Sequence, residues 1–290
     1  IPELPFLLNL LRADNILPRI PEDGVDIPRY RELSAHLNAA LYGKDRPHSV
    51  VAILKRVQDA ARNVRDRLSL DSWRVINRLE SFADNPASDP LELLDDTLFT
   101  LSAFSGLAME SMTRGLGWRF MDMGRRVERA MNQTGLIRIG LPQVCRESRS
   151  TLEALLEVAD SIMTYRARYR TAFQLAPVLD LLIVDESNPK SLAFQFSQLV
   201  AHVEHLPRQS DRRFASPEER LSLEILTAVR LLNLTGLRCS KSVAQTESLA
   251  AFLDLMDTRL KDFAQQISAH YLTRVQATPH FSTILGNRKP

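Results

Sequence analysis

Cysteine is almost missing from this chain. Cys145 and Cys239 are the two in 290 residues, too few for a disulfide framework or a cysteine-rich zinc site. That usage fits a reducing compartment, with the cytosol (a cytoplasmic location) as the default. Glycine is scarce at 10 residues, and no alternating apolar and polar run is flanked by hairpin turn signals, so strands have no support. No apolar stretch reaches the roughly 18 residues that cross a bilayer, and Leu4-Pro-Phe-Leu-Leu-Asn-Leu-Leu11 lacks the basic flank of a signal peptide. No membrane partner is expected. An excess of one charge is missing as well: Lys+Arg 37 against Asp+Glu 35 leave +2, and the local cluster Arg208, Arg212, Arg213 is offset by Asp211, Glu218 and Glu219. Nucleic acid is therefore not an expected partner.

Familiar chemical signatures are absent too. There is no Gly-rich phosphate loop, no nucleophile elbow and no His-Glu-x-x-His helix, so no cofactor is expected. Asp95-Asp96 lacks the further aspartate of the magnesium-binding motif in helical prenyl synthases. His202-Val-Glu-His205 has metal-capable spacing but no completing cluster of acids or histidines, and no metal is expected.

What is present is helical periodicity. With 44% hydrophobic residues the chain can bury a sizeable core. Apolar residues at helical spacing mark Tyr30–Tyr42, a helix entered at Pro47 and running to Leu68, and one after Ser69 that ends at Asn85-Pro86. Asp89-Pro90 opens a helix whose expected buried stripe is Leu91, Leu94, Leu98, Leu101, Phe104, Ala108 and Met112, stopped by Gly115 and Gly117. Further on, Ser148 to Phe173 reads as one long helix, followed by Pro177 to Val184, Lys190 to Leu206, a helix capped at Ser216-Pro217, and a last one from about Ser240 to Arg274.

The pattern occurs twice. Leu37 to Val51 reads like Leu179 to Ala193, with Pro47 facing Pro189 and Ser49 facing Ser191 at one constant offset, the signature of duplicated architecture. Both serines follow prolines at helix starts and are read as caps. The fold class is all-α, a duplicated helical bundle of about nine to eleven helices in two intimately packed halves. The expected division is 1–28 as an N-terminal segment or linker, 29–116 as a first half cut short at its start, 117–276 as the second half, and 277–290 as a tail. Since the chain begins at Ile1 and the first half lacks an Arg-rich helix like that of the second, it reads as the C-terminal part of a longer polypeptide.

That Arg-rich helix, Trp118 to Ile139, draws most attention. Phe120, Met123, Val127, Ala130, Met131 and Thr134 share a core side, while Arg119, Asp122, Arg126, Arg129 and Gln133 gather opposite. Glu128 lies one turn after Gly124, where a neighbouring helix could come close and enclose its carboxylate. An enclosed carboxylate requires a partner. Two readings stand side by side: an ion-pair network tying the halves together, or a site whose planar guanidinium groups hold an anion. A second constellation, Asp160 with Tyr165, Arg166, Tyr169 and Arg170, is either an interaction surface or a packed helix edge whose tyrosine hydroxyls stay wet.

Together these residues resemble a known family. Glu110-Ser-Met-Thr-Arg114, Gly117-Trp118-Arg-Phe120 and Gly124-Arg125-Arg126-Val-Glu128-Arg129-Ala130 resemble the signature of the bacterial alpha-E family, helical domains named for a Glu-Arg motif. Ala61 to Asp66 with Trp73 and Asn77, the Asp160 to Tyr169 segment, and Asp185 to Ser191 match as well, from about Leu33 to Arg274. The resemblance implies two halves that each begin with a Glu-Arg helix, of which only the Glu128-Arg129 one is found in this chain. It also implies an ATP-grasp amidoligase as partner, in the same chain or encoded beside it, and hence a setting of amide or peptide bond formation.

The leading expectation is an accessory domain that scaffolds or binds a small anionic or peptide ligand and is not itself catalytic. Its candidate residues are Glu110, Arg114, Trp118, Arg125, Arg126, Glu128, Arg129, Asp160, Tyr165, Arg166 and Tyr169. The alternatives are an enzyme using Glu128 as general acid or base, and a structural protein that forms homo-oligomers through an exposed apolar patch.

Overall fold

The computed structural model describes residues 3–18, 30–84, 89–144, 148–170, 172–207, 215–234 and 243–272. The Asn85-Pro86 breaker, Arg208 to Arg213, both cysteines and the 277–290 tail lie outside those residues. The described residues are helical throughout, with no strand among them. Their helices are α1 Leu4–Ala13, α2 Tyr30–Tyr42, α3 Val50–Asn63, α4 Leu70–Asp84, α5 Pro90–Ser111 and α6 Leu116–Val144. After them come α7 Ser148–Val158, α8 Ile162–Tyr169, α9 Leu175–Leu179, α10 Leu192–Val203, α11 Pro217–Arg230 and α12 Val243–Ile267.

Two cores are formed. The small one lies between α3 and α4, where Val51, Leu54, Leu79 and Ala83 are buried with Phe82 and with Leu101 of α5 against them. The large one is built around α6, which packs against α1, α7, α10 and α12. There Met123, Val127, Ala130 and Ile137 meet Leu155, Phe196, Leu199, Leu253, Met256 and Leu260. Burying side chains of this size is worth about 1.5–3 kcal/mol each before ordering costs. Residues 4–13, expected as part of a linker, are instead α1, whose Phe6 is buried in this large core. Gly140 makes the approach possible: a methyl group there would stand 3.3 Å from the Phe6 ring and 3.5 Å from Leu155.

Several boundaries differ from the sequence reading. The expected 148–173 helix is split, because Asp160 turns left-handed (φ 48) and ends α7 before α8 begins. Asp tolerates that conformation better than most residues, and helical periodicity on either side hides a one-residue break. The α3 helix stops at Asn63 with a short 3₁₀ turn after it, and Val57 and Val64 are exposed. On α5 the buried residues are Leu93, Thr97, Thr100 and Ala108, whereas Leu91, Leu98 and Phe99 are more than three-fifths exposed. The stripe was read correctly as a helix, and Ala108 and Leu101 of it do pack inward, but at its N-terminal end the buried face is rotated to Leu93 and Thr97, where α5 packs on α4. Gly115 and Gly117 do not stop α5, which ends at Ser111; Gly117 lies in the first turn of α6.

Two turn geometries each occur twice among the described residues. Ser49 Oγ donates to the Gly43 carbonyl at 2.7 Å and accepts from the Ala52 N–H at 3.2 Å. Ser191 Oγ donates to the Asp185 carbonyl at 2.6 Å and accepts from the Phe194 N–H at 3.0 Å. The end of α1 and the end of α7 match in the same way: Asn15 and Asp160 both turn left-handed, and the N–H groups of Ile16 and Ser161 each return 2.8 Å to Leu11 and Leu156. Both serines are caps, as expected, and Ser216 is the cap of a reciprocal box with Glu219.

Because Ser191 is fully buried and holds two partners, Ser191→Ala should lower unfolding free energy by about 1–3 kcal/mol. The same change at Ser49 should act in the same direction. Urea denaturation of both variants measures this, and two neutral substitutions would contradict the capping role.

Candidate functional site

Helix α6 has two buried faces, which explains its mixed composition. One is apolar and joins the large core; the other carries Asp122, Arg126 and Gln133, all more than nine-tenths buried. This second face is the one read from the sequence as the polar side opposite the core. It is closed because α10 lies against it.

Asp122 is the hub. Its Oδ2 accepts from Arg126 Nε at 3.1 Å, one helical turn away, and from His202 Nε2 of α10 at 2.7 Å, while Arg125 binds its Oδ1. Arg126 also donates to Gln195 Oε1 at 3.3 Å and lies 5.2 Å from the Phe194 ring. Gln195 passes the connection on, donating to the Pro189 carbonyl at 2.6 Å. Trp118 meets His202 edge to face at 5.1 Å, and the Arg114 guanidinium lies over the Trp118 ring at 4.3 Å. Burial alone would push the Asp122 carboxyl up, but the His202 hydrogen bond and the Arg126 and Arg125 charges outweigh it. The carboxyl is held well below the usual carboxylate range.

Beside the hub lies an open cavity of about 500 Å³. Arg129, Gln133, Leu136 and Ile139 of α6 form one wall, Leu10 and Asp14 of α1 another, and Asp160, Pro189, Lys190 and Gln195 the third. Asp160 and Lys190 neutralise each other at 2.8 Å. Arg129 has no ion pair among the described residues, and burial together with Arg125 and Arg126 lowers its affinity for its proton. Gln133 Nε2 is buried without a hydrogen-bond partner. Such a donor beside an uncompensated guanidinium is the arrangement that receives an anionic oxygen.

The structure separates the two residues of the Glu-Arg pair. Both are exposed, but Arg129 also lines the cavity while Glu128 does not, and no helix closes over Gly124, where a methyl group would meet nothing. The expected enclosure of Glu128 is therefore not found; the carboxylate shut from water is Asp122, six residues earlier. Glu110 is exposed at the end of α5. Asp160 reaches the cavity rim, but the tyrosine constellation stands apart from it. Tyr165 is fully buried, its hydroxyl donating to the Ala172 carbonyl and accepting from the Gln174 N–H, both at 3.2 Å. The expected wet hydroxyl is absent there because a backbone loop takes its place. Tyr169 donates to Asp180 at 2.7 Å, and burial with that bond pushes its hydroxyl up to about 12. Arg166 pairs with Glu153 on the surface at 2.9 Å.

Sequence reading missed His202, Gln195, Asp14, Gln133 and Lys190 as site residues. His202 and His205 had the spacing of metal ligands, yet His202 is buried on Asp122 and His205 is exposed. Among the described residues no group of three histidines, cysteines or acids could hold a metal ion. The signal that could have found the hub is the pairing of a buried-face Asp with an Arg one turn later, next to a helix carrying a lone apolar-face His.

Comparison with known proteins gives a consistent placement. Alpha-E, described as a predicted alpha-helical domain with a conserved ER motif, matches residues 7–272. An uncharacterised protein of Mycobacterium bovis, Mb2597, is 32% identical over 240 residues, 79% of this chain and 27% of that protein. Rv2567 of Mycobacterium tuberculosis, also uncharacterised, is 31% identical over the same share of each chain. The chain thus spans about a quarter of the length of these relatives. No solved structure matches.

Asp122→Asn should cost about 3–5 kcal/mol, because it leaves Arg126 buried without its countercharge. The folded carboxyl lies below its unfolded value, so the hub's contribution is complete above about pH 5 and is lost as pH falls below about 4. Denaturant curves at several pH values check this: the wild type should lose stability on acidification through that window more steeply than Asp122→Asn. Equal slopes would remove the hub from the account of acid stability.

Proposed function

The chain belongs to the Alpha-E family, and on that premise we propose that it is a non-catalytic helical domain that binds a small anionic ligand at Arg129. In the setting that the family resemblance implies, it would present that ligand to, or receive it from, an ATP-grasp amidoligase forming amide or peptide bonds. The observation that carries the reading is the cavity itself: it is lined by Arg129, which has no ion pair among the described residues, and by Gln133, whose buried Nε2 has no hydrogen-bond partner. No hydroxyl, thiol or imidazole side chain is among its described lining residues, which disfavours a serine, cysteine or histidine nucleophile there. The exposure of Glu128 disfavours its use as an acid or base tuned by enclosure.

The hub serves this reading as a mount. By locking α6 onto α10 it sets the rotation of α6, and therefore which way the residue one turn beyond Arg125 points. A binding screen with small carboxylates, amino acids and inorganic phosphate tests the proposal. Arg129→Gln should weaken the best ligand at least tenfold, while Glu128→Gln should bind like the wild type. Equal binding by Arg129→Gln and wild type would end the proposal.

A second reading has its own support. Ile53 and Val57 on α3 and Leu91, Leu98 and Phe99 on α5 are exposed, the last three by more than three-fifths. Self-association through α3 and α5 would cover them. Sedimentation analysis should then show a concentration-dependent dimer that Leu98→Lys with Phe99→Lys dissolves; a monomer at all concentrations would rule it out.

A further inference from the structure

The Arg129 cavity holds charges of both signs that do not neutralise each other. Arg129 stands on α6, and Asp14 stands on the opposite wall at the end of α1. Neither has an ion pair among the described residues, although Asp14 also borders a second cavity that contains Arg46 and His48. Asp14 keeps much of its surface in solvent, yet the nearby walls raise its carboxyl above the ordinary value. Asp122 favours the Arg129 charge without pairing with it, and the cavity that Arg129 and Asp14 line has a volume of about 500 Å³.

The surroundings sort the two signs. On the α6 wall, Gln133 adds its orphaned Nε2 donor to the Arg129 guanidinium. On the other side, Asp14 and Asp160 lie at the C-terminal ends of α1 and α7, where the negative ends of two helix dipoles also favour a cation. Between these poles the lining is apolar, supplied by Leu10, Met131, Leu136, Ile139 and Val158.

Resting on the anion-binding reading and going beyond it, we infer that this cavity takes a zwitterion with an apolar side chain, a free amino acid or a short peptide. Its carboxylate lies at Arg129 and Gln133 and its ammonium at Asp14. A carboxylate alone would leave Asp14 without an ion pair, since Asp160 is already held by Lys190, and an amine alone would leave Arg129 without one. Selectivity for the doubly charged form follows from that arithmetic of unmatched groups. Lys190 adds little, because Asp160 already holds it.

Calorimetric titration of the 290-residue protein with a matched series tests this. The probes are leucine, leucyl-leucine, N-acetyl-leucyl-leucine without the ammonium, and leucyl-leucinamide without the carboxylate. Leucine or leucyl-leucine should bind at least tenfold more tightly than either singly charged compound. The tighter of the two identifies an amino acid or a peptide as the source. Arg129→Gln and Asp14→Asn should each weaken that ligand at least tenfold, and Asp14→Asn should leave the acetylated peptide unaffected. If the acetylated peptide binds wild type as tightly as the free one, the zwitterion inference is overturned while anion binding stands. If no carboxylate binds, both fail. Should Asp14→Asn not fold, the four probes on the wild type decide alone.

Discussion

Asp122 is the constraint around which this molecule is arranged. A carboxylate with about 1% of its surface exposed is tolerated because one side chain on its own helix and one on the neighbouring helix converge on the same oxygen, at 3.1 and 2.7 Å. Removing a charge from water costs several kcal/mol and is repaid only by partners of good geometry. The arrangement is therefore intolerant of rotation: α6 cannot turn about its axis without breaking contact with His202 and Gln195 of α10. A side chain three residues beyond Arg126 inherits that fixed orientation, and this is how Arg129, though exposed, comes to line the cavity while Glu128 does not.

The charge count around the hub has a further consequence. Arg125, Arg126 and Arg129 crowd one stretch of α6, but the carboxylate beside them, Asp122, is already engaged by two guanidinium groups and an imidazole. The surplus positive charge is left at Arg129, where burial and the two other arginines press on it together. Gln195 links the two places, joined to Arg126 at one end and to the Pro189 turn of the cavity rim at the other. The ion-pair network and the cavity rim are thus successive parts of one hydrogen-bonded chain.

The cavity owes its other walls to turns. The left-handed corner at Asp160 and the capped Ser191 turn bring Asp160 and Lys190 within 2.8 Å, and the matching corner at Asn15 delivers Asp14 at the end of α1. Asn15 and Ser49, the counterparts of Asp160 and Ser191, border the second cavity. The recurring turns therefore occur where the fold makes concave surfaces, which loops braced by rigid helices commonly provide.

Periodicity, capping residues and prolines determined the all-helical class and most helix starts, because those depend on local physics: where apolar side chains recur, and which side chain satisfies a free N–H. Ser49, Ser191 and Ser216 were legible for that reason, and so was the unusual character of the Trp118 to Ile139 helix. The α5 stripe at Leu91 and Leu98, the depth of Tyr165 and the break at Asp160 were not, since each depends on what lies across from the residue. The candidate site divides the same way. A row of arginines near Glu128 was visible in the chain, but a helix with two mixed faces gives no local sign of which carboxylate will be enclosed. Tertiary structure chose Asp122 over Glu128 by placing His202, 80 residues distant, within 2.7 Å of it. Desolvation is a property of neighbours in space, and only the packing of α10 onto α6 could decide it.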